Sequence, residues 1–146
     1  MFFRISLILI SILVSACSEP DFTDHQGNSG KFNDLDGRWM IINYWATWCK
    51  PCIEEIPELN EFAKAHTTNV VLFGVEFDQN QGEKLQKNIK KLAIEFPVLL
   101  HDPAAMLGIK KPLGLPTTFV FNPRGELHQV LKGPQTKETL LAAMAD

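Results

Sequence analysis

The stretch from Trp45 to Cys52 reads "WATWCKPC" and holds the residue types best suited to chemistry in this chain. A thiolate attacks disulfides and binds soft metals, so a pair of cysteines two residues apart has three readings. The first is a metal site. Structural zinc takes four protein ligands, and catalytic zinc takes three and a water. Besides Cys49 and Cys52 the chain offers Cys17 and the histidines His25, His66, His101 and His128, which have no paired-ligand spacing. No metal is therefore expected. The second reading is a structural crosslink, but a bridge closing so small a loop removes little chain entropy. The third is electron exchange, and it fits the position of the pair.

The residues ahead of the pair, "RWMIINYWA", are β-branched and aromatic and predict a buried strand over Trp39–Trp45. From Cys49 to about Ala65, Ile53, Ile56, Leu59, Asn60 and Ala63 recur at helical spacing. Pro57 inside that helix should kink it. The pair thus sits where a strand gives way to a helix. The first helical amides are unpaired there and the dipole is positive, so a thiolate at Cys49 is favoured. Lys50 adds a cation. Cysteines at such a helix start can titrate at about 3.5–7.5 instead of about 8.5, which raises the share of attacking thiolate. Cys49 is the expected nucleophile. Cys52, one turn deeper, is expected to be buried and to resolve the mixed disulfide.

The remaining elements follow in order. Residues 18–30 read as a tether with a short hairpin around Gln26–Gly30. "NVVLFGVEF" (Asn69–Phe77) is a second buried strand, residues 83–95 an amphipathic helix, and "FPVLL" (Phe96–Leu100) a third strand. A short helix is expected around Ala104–Leu107, then a hairpin from "TTFVFN" through "PRGE" to "LHQVLKG". A last helix runs from about Lys137 to Met144. This order gives an α/β domain with a mixed sheet and helices on both faces. With 146 residues, 45% hydrophobic and 21% charged, the chain suits one globular domain. A net charge of −3 without a long basic stripe argues against nucleic acid.

"NYWATWCKPC", "CIEEIPEL" and "GLPTTFVFNPRGEL" together resemble the TlpA/ResA-like extracytoplasmic thiol–disulfide oxidoreductases of the thioredoxin fold, from about Asp21 onward. Asn43 stands where cytoplasmic thioredoxin carries a buried aspartate. Residues from about Gln81 to Leu100 match the helix and strand that this group inserts into the basic fold. The resemblance implies that Cys49 and Cys52 are the redox pair and that Pro116 is cis and faces them. It also implies that the backbone of Leu115, next to Pro116 and Thr117, pairs with an extended substrate segment. The implied activity needs no cofactor. The implied substrates are disulfide-containing proteins, such as apocytochrome c and copper-site proteins of respiratory oxidases. The implied electron donor is a membrane thiol-transporting protein. A monomer is expected.

Glu55 follows Cys52 by three residues and shares its helix face. As a carboxylate near a buried thiol it accepts that thiol's proton; the plainer reading is a solvated acid like Glu54. A glutamate matching Glu55 sits near the active site in proteins that this chain resembles. Asn43 cannot titrate. Trp45 is expected in the core and Trp48 partly exposed beside Cys49, shaping a docking surface. In "GIKKPLG" the connection ahead of Pro116 is longer than is usual in that group. Lys110 and Lys111, with Lys50, then form either a basic lip for an acidic partner or a solvated loop.

The start of the chain, "MFFRISLILISILVSACS", has Arg4, an apolar run from Ile5 to Val14, and small residues before Cys17. That run of ten, with Ser6 and Ser11 inside it, is too short to span a bilayer. Val14–Cys17 resembles a bacterial lipobox, which implies a signal peptide over 1–16, lipidation of Cys17, and a lipid-anchored extracytoplasmic protein; the plainer readings are an ordinary secretory signal or an uncleaved anchor. The expected organisation is a leader (1–16), a tether with the start of the hairpin (17–30) and a thioredoxin-like domain (31–146). Two other functions are weighed: a thiol peroxidase, which shares the fold, and a copper chaperone using the two thiolates.

Overall fold

The computed structural model describes residues 19–35 and 37–145. The expected leader and Cys17 lie outside the described residues. A two-stranded hairpin comes first, β1 (Phe22–Thr23) with β2 (Ser29–Gly30). Its turn is held by Asp24, whose carboxylate accepts from the backbone N–H groups of Gln26 and Asn28. A 3₁₀ turn, Phe32–Leu35, follows. The main body is β3 (Trp39–Trp45), α1 (Lys50–Ala65), β4 (Val70–Glu76), α2 (Gly82–Lys91), β5 (Val98–Leu99), β6 (Thr117–Phe121), β7 (Leu127–Lys132) and α3 (Lys137–Ala143).

The strands of the main body form one sheet in the order β5-β4-β3-β6-β7. β3 pairs with β4, and β4 with β5, in parallel; β6 and β7 complete it antiparallel. The chain steps twice in the same direction, β3 to β4 to β5, through a helix each time. Right-handed crossovers then place α1 and α2 on the same face. α3 joins them, and one apolar cluster holds Ile41, Trp45 and Leu72 of the sheet, Ile56 and Phe62 of α1, Leu85 and Ile89 of α2, and Leu140 of α3. The opposite face, with Ile42, Tyr44 and Phe73, is covered by Phe22 and Phe32 of the N-terminal segment and by Leu107 and Ile109. Among the described residues the expectation of helices on both faces thus gives way to three on one face, with a hairpin, a 3₁₀ turn and a loop on the other.

The expected helix around Ala104–Leu107 is a run of turns. The amide of Leu107 reaches the carbonyl of Pro103, and that of Ile109 reaches Ala104. Gly108, at φ 66°, ends the turn before a helix can propagate. The α2 helix stops at Lys91, short of residue 95, because Ala93 adopts φ 51°. Ile53, expected inward, is exposed. Asn60 keeps its place in the apolar stripe because it is a bracket: its amide donates to the carbonyl of Ala93 and its oxygen accepts from the amide of Glu95. Gly74 marks a close approach, since a Cβ there would lie 2.8 Å from Trp45 Nε1 and 2.9 Å from a Phe96 ring carbon.

Candidate active site

β3 runs in the sheet centre with six of its seven residues buried, and it ends at the loop carrying Thr47 and Trp48. Cys49 is the N-cap of α1, in extended backbone, and Pro51 sits in the first turn, where its missing N–H costs nothing. Cys49 and Cys52 form a disulfide, with Sγ atoms 2.06 Å apart. Cys49 Sγ also accepts from the backbone N–H of Cys52 at 3.3 Å. That donor, with the positive end of α1, stabilises a thiolate at Cys49 once the bridge opens. Cys52 is fully buried and Cys49 nearly so.

Glu55 is 2% exposed, so it is not a surface acid like its exposed neighbour Glu54. Asn43 Nδ2 donates to Oε1 at 2.8 Å, and the backbone N–H of Gln135 donates to Oε2 at 2.8 Å. Burial pushes the carboxyl up from 4.5 to about 7, against those two hydrogen bonds, which pull it down. Asn43 Nδ2 also donates to Thr118 Oγ1, while Asn43 Oδ1 is buried with no partner among the described residues. Turning the amide over would let Oδ1 accept from a protonated Glu55, so Asn43 serves both charge states. Thr118 and Gln135 give no signal in the sequence. One reaches the Asn43–Glu55 pair from β6, across the β3 pairing, the other from the loop between β7 and α3.

The Leu115–Pro116 peptide is cis. Thr117 Oγ1 donates to the carbonyl of Gly114, and the Pro116 carbonyl accepts from Gly133 N–H, so the loop is tied on both sides. Among the described residues the backbone N–H and C=O of Leu115 make no hydrogen bond. Trp48 is 63% exposed; its indole N–H donates to Asp78, and its ring meets Phe77 edge-on. Lys111 donates to the carbonyl of Phe77 at 2.8 Å and lies 4.2 Å over its ring. Lys50 points to solvent 3.8 Å from Glu54. Lys110 and Lys111 line one groove with Leu115, Pro116 and Thr117; Lys50 does not line it.

A parallel β3-α1-β4 unit with a helix-capping CxxC disulfide and a cis-proline loop defines a redox protein of the thioredoxin fold. The AhpC/TSA family profile matches residues 16–130. Thiol-disulfide oxidoreductase ResA of Geobacillus kaustophilus is 33% identical over 127 residues, covering 83% of this chain and 71% of that protein. Thioredoxin-like protein YneN of Bacillus subtilis is 28% identical over 127 residues, covering 83% and 73%. Among solved structures, StoA from Bacillus subtilis matches with a TM-score of 0.69 at 26% identity, covering 84% of this chain and 92% of that one. A thiol:disulfide interchange protein of the thioredoxin family from Chlorobium tepidum matches at 0.70 and 25%, covering 86% and 92%. The chain belongs to the AhpC/TSA family and, within it, is a thiol–disulfide oxidoreductase of the ResA type.

Proposed function

We propose that this protein reduces disulfides of specific extracytoplasmic proteins while held on a membrane by lipid on Cys17. The direction rests on one observation: Glu55 is buried on the helix face of Cys52, whereas Lys50 is solvent-exposed beside Glu54. A strongly oxidising pair is one whose reduced, thiolate form is stabilised. The buried carboxylate opposes a thiolate, and the solvated lysine, screened and already beside an acid, does little to favour one. The reduced pair is therefore the better electron donor.

In the forward step the Cys49 thiolate attacks the substrate disulfide, forming a mixed disulfide and expelling one substrate thiolate, which takes a proton from water. Cys52 passes its proton to Glu55 and attacks Cys49 Sγ, which releases the second substrate thiolate. The substrate gains two electrons and the protein ends as the Cys49–Cys52 disulfide. Trp48 and Lys50 flank the attacked sulfur, and the free backbone of Leu115, between Gly114 and cis-Pro116, offers one donor and one acceptor to an extended substrate segment. A membrane thiol-transporting protein re-reduces the pair. Candidate substrates are apocytochrome c and copper-site proteins.

The test is a trap. Cys52→Ser removes the resolving thiol, so mixed disulfides through Cys49 should accumulate and be cut from a non-reducing gel for identification. The Cys49→Ser variant should trap none. A Cys52→Ser protein that captures no extracytoplasmic protein contradicts the proposal.

A further inference from the structure

The antiparallel pairing of β6 with β7 sets Thr117 opposite Lys132 and Phe119 opposite Val130, so these four side chains stand on one sheet face. Towards the sheet centre that face is covered by the N-terminal segment. At the outer edge it is not: Phe119 is buried, but Val130 is exposed. A groove of about 670 Å³ opens there, walled on the far side by the loop from Lys110 to Pro116. Its floor is apolar, with Leu115, Pro116, Phe119 and Val130, and its rim carries Lys110, Lys111 and Lys132. Among the described residues no acid lines it. Among them, too, none of the three lysines forms an ion pair.

Two features tie the groove to the redox pair. The cis-proline loop, Gly114 to Thr117, is part of its lining. Lys111 is held over Phe77, whose ring meets Trp48 beside Cys49, so rim and reactive sulfur are joined by one set of packed side chains. The positive rim is not a by-product of composition, because the chain carries a net charge of −3.

We propose that this groove is the docking subsite for the partner-protein segment that flanks the target disulfide, and that it selects an apolar side chain accompanied by acidic residues. The apolar floor takes the side chain out of water, and the unneutralised lysines supply the charge complementarity that favours acid and repels base. An anionic lipid surface is the weaker fit, since the apolar area is recessed in a groove, with Leu113 standing out from the loop as its exposed apolar tip. The proposal rests on the reading of Cys49 and Cys52 as a disulfide reductant.

The test uses the reduced full chain in non-ionic detergent and two synthetic peptides. The peptides share one intramolecular disulfide and one leucine and differ only in three flanking residues, glutamates in one and lysines in the other. Each single turnover converts one peptide disulfide to two thiols and the protein dithiol to its disulfide. At low salt the acidic peptide should react about tenfold faster, and the ratio should shrink as salt rises to about 0.5 M. In the double variant Lys110→Glu, Lys132→Glu the ratio should fall below one. Reading a ratio keeps the result independent of any general loss of activity. A wild-type ratio under twofold overturns the proposal, as does a preference that survives the double reversal. Equal peptide rates with a Leu113→Trp emission shift on anionic but not neutral vesicles overturn it too, and assign the loop to lipid headgroups. If neither peptide is reduced, the reductase reading itself falls; equal rates leave that reading standing.

Discussion

Glu55 offers the sharpest perturbation, because its environment fixes both sign and size. Its carboxyl titrates near 4.5 when solvated and at about 7 when folded. The folded state therefore holds the proton more tightly than the unfolded state. The associated stability is fully present below about pH 4.5 and is lost as the pH rises through about 7. A shift of that size corresponds to roughly 3 kcal/mol for so buried a group. Glu55→Gln removes the titration and keeps the shape. The amide oxygen introduced by that substitution would accept from the backbone N–H of Gln135. Its NH₂ group would donate to Asn43 Oδ1 after the Asn43 amide turns over, satisfying an atom that now has no partner among the described residues. Urea unfolding of the oxidised full chain at four pH values from about 4.5 to about 7.5 measures the effect. The wild-type stability, taken relative to the Glu55→Gln variant, should fall by about 3 kcal/mol across that range. A difference that stays constant within about 1 kcal/mol would refute the reasoning, since a buried titrating carboxylate cannot leave the slope unchanged.

Three further outcomes are expected. Asn43→Asp sets a second carboxylate against Glu55, which Asn43 now touches at 2.8 Å; unfolding should become more pH-dependent than in the wild type, read by the same urea series, because two adjacent carboxylates cannot both ionise cheaply. Gly74→Ala drives a methyl into Trp45 and Phe96 and should cost about 1–3 kcal/mol by urea midpoint. Asn60→Ala deprives the Ala93 carbonyl and the Glu95 amide of their partner and should cost about 2 kcal/mol in the same assay.

The parts of the fold written in local pattern were legible in the sequence. The strand Trp39–Trp45 has the bounds expected of it, because its apolar run is uninterrupted and the helix start follows at once. The β6–β7 hairpin follows from its turn, where Gly125 takes φ 74°. The expected helix that failed, around Ala104–Leu107, is a segment boxed between Pro103 and Gly108, too short for propagation to repay nucleation. Helix placement on one face was not legible either, because it depends on strand order and crossover hand and not on periodicity. At the site, "WATWCKPC" declared the pair, and helical spacing put Glu55 on the face of Cys52. The state of Glu55 was not readable, since the Gln135 amide that meets its carboxylate lies 80 residues away. The groove rim likewise combines Lys110 of the loop before β6 with Lys132, which strand register sets opposite Thr117.

The reduction potential of the Cys49–Cys52 pair, measured on the full chain against glutathione and dithiothreitol buffers, tests the reductase reading most directly. A buried carboxylate that disfavours the thiolate calls for a value below about −220 mV, in the range of thioredoxin-like donors. A value above about −150 mV would mark an oxidant and contradict the reading.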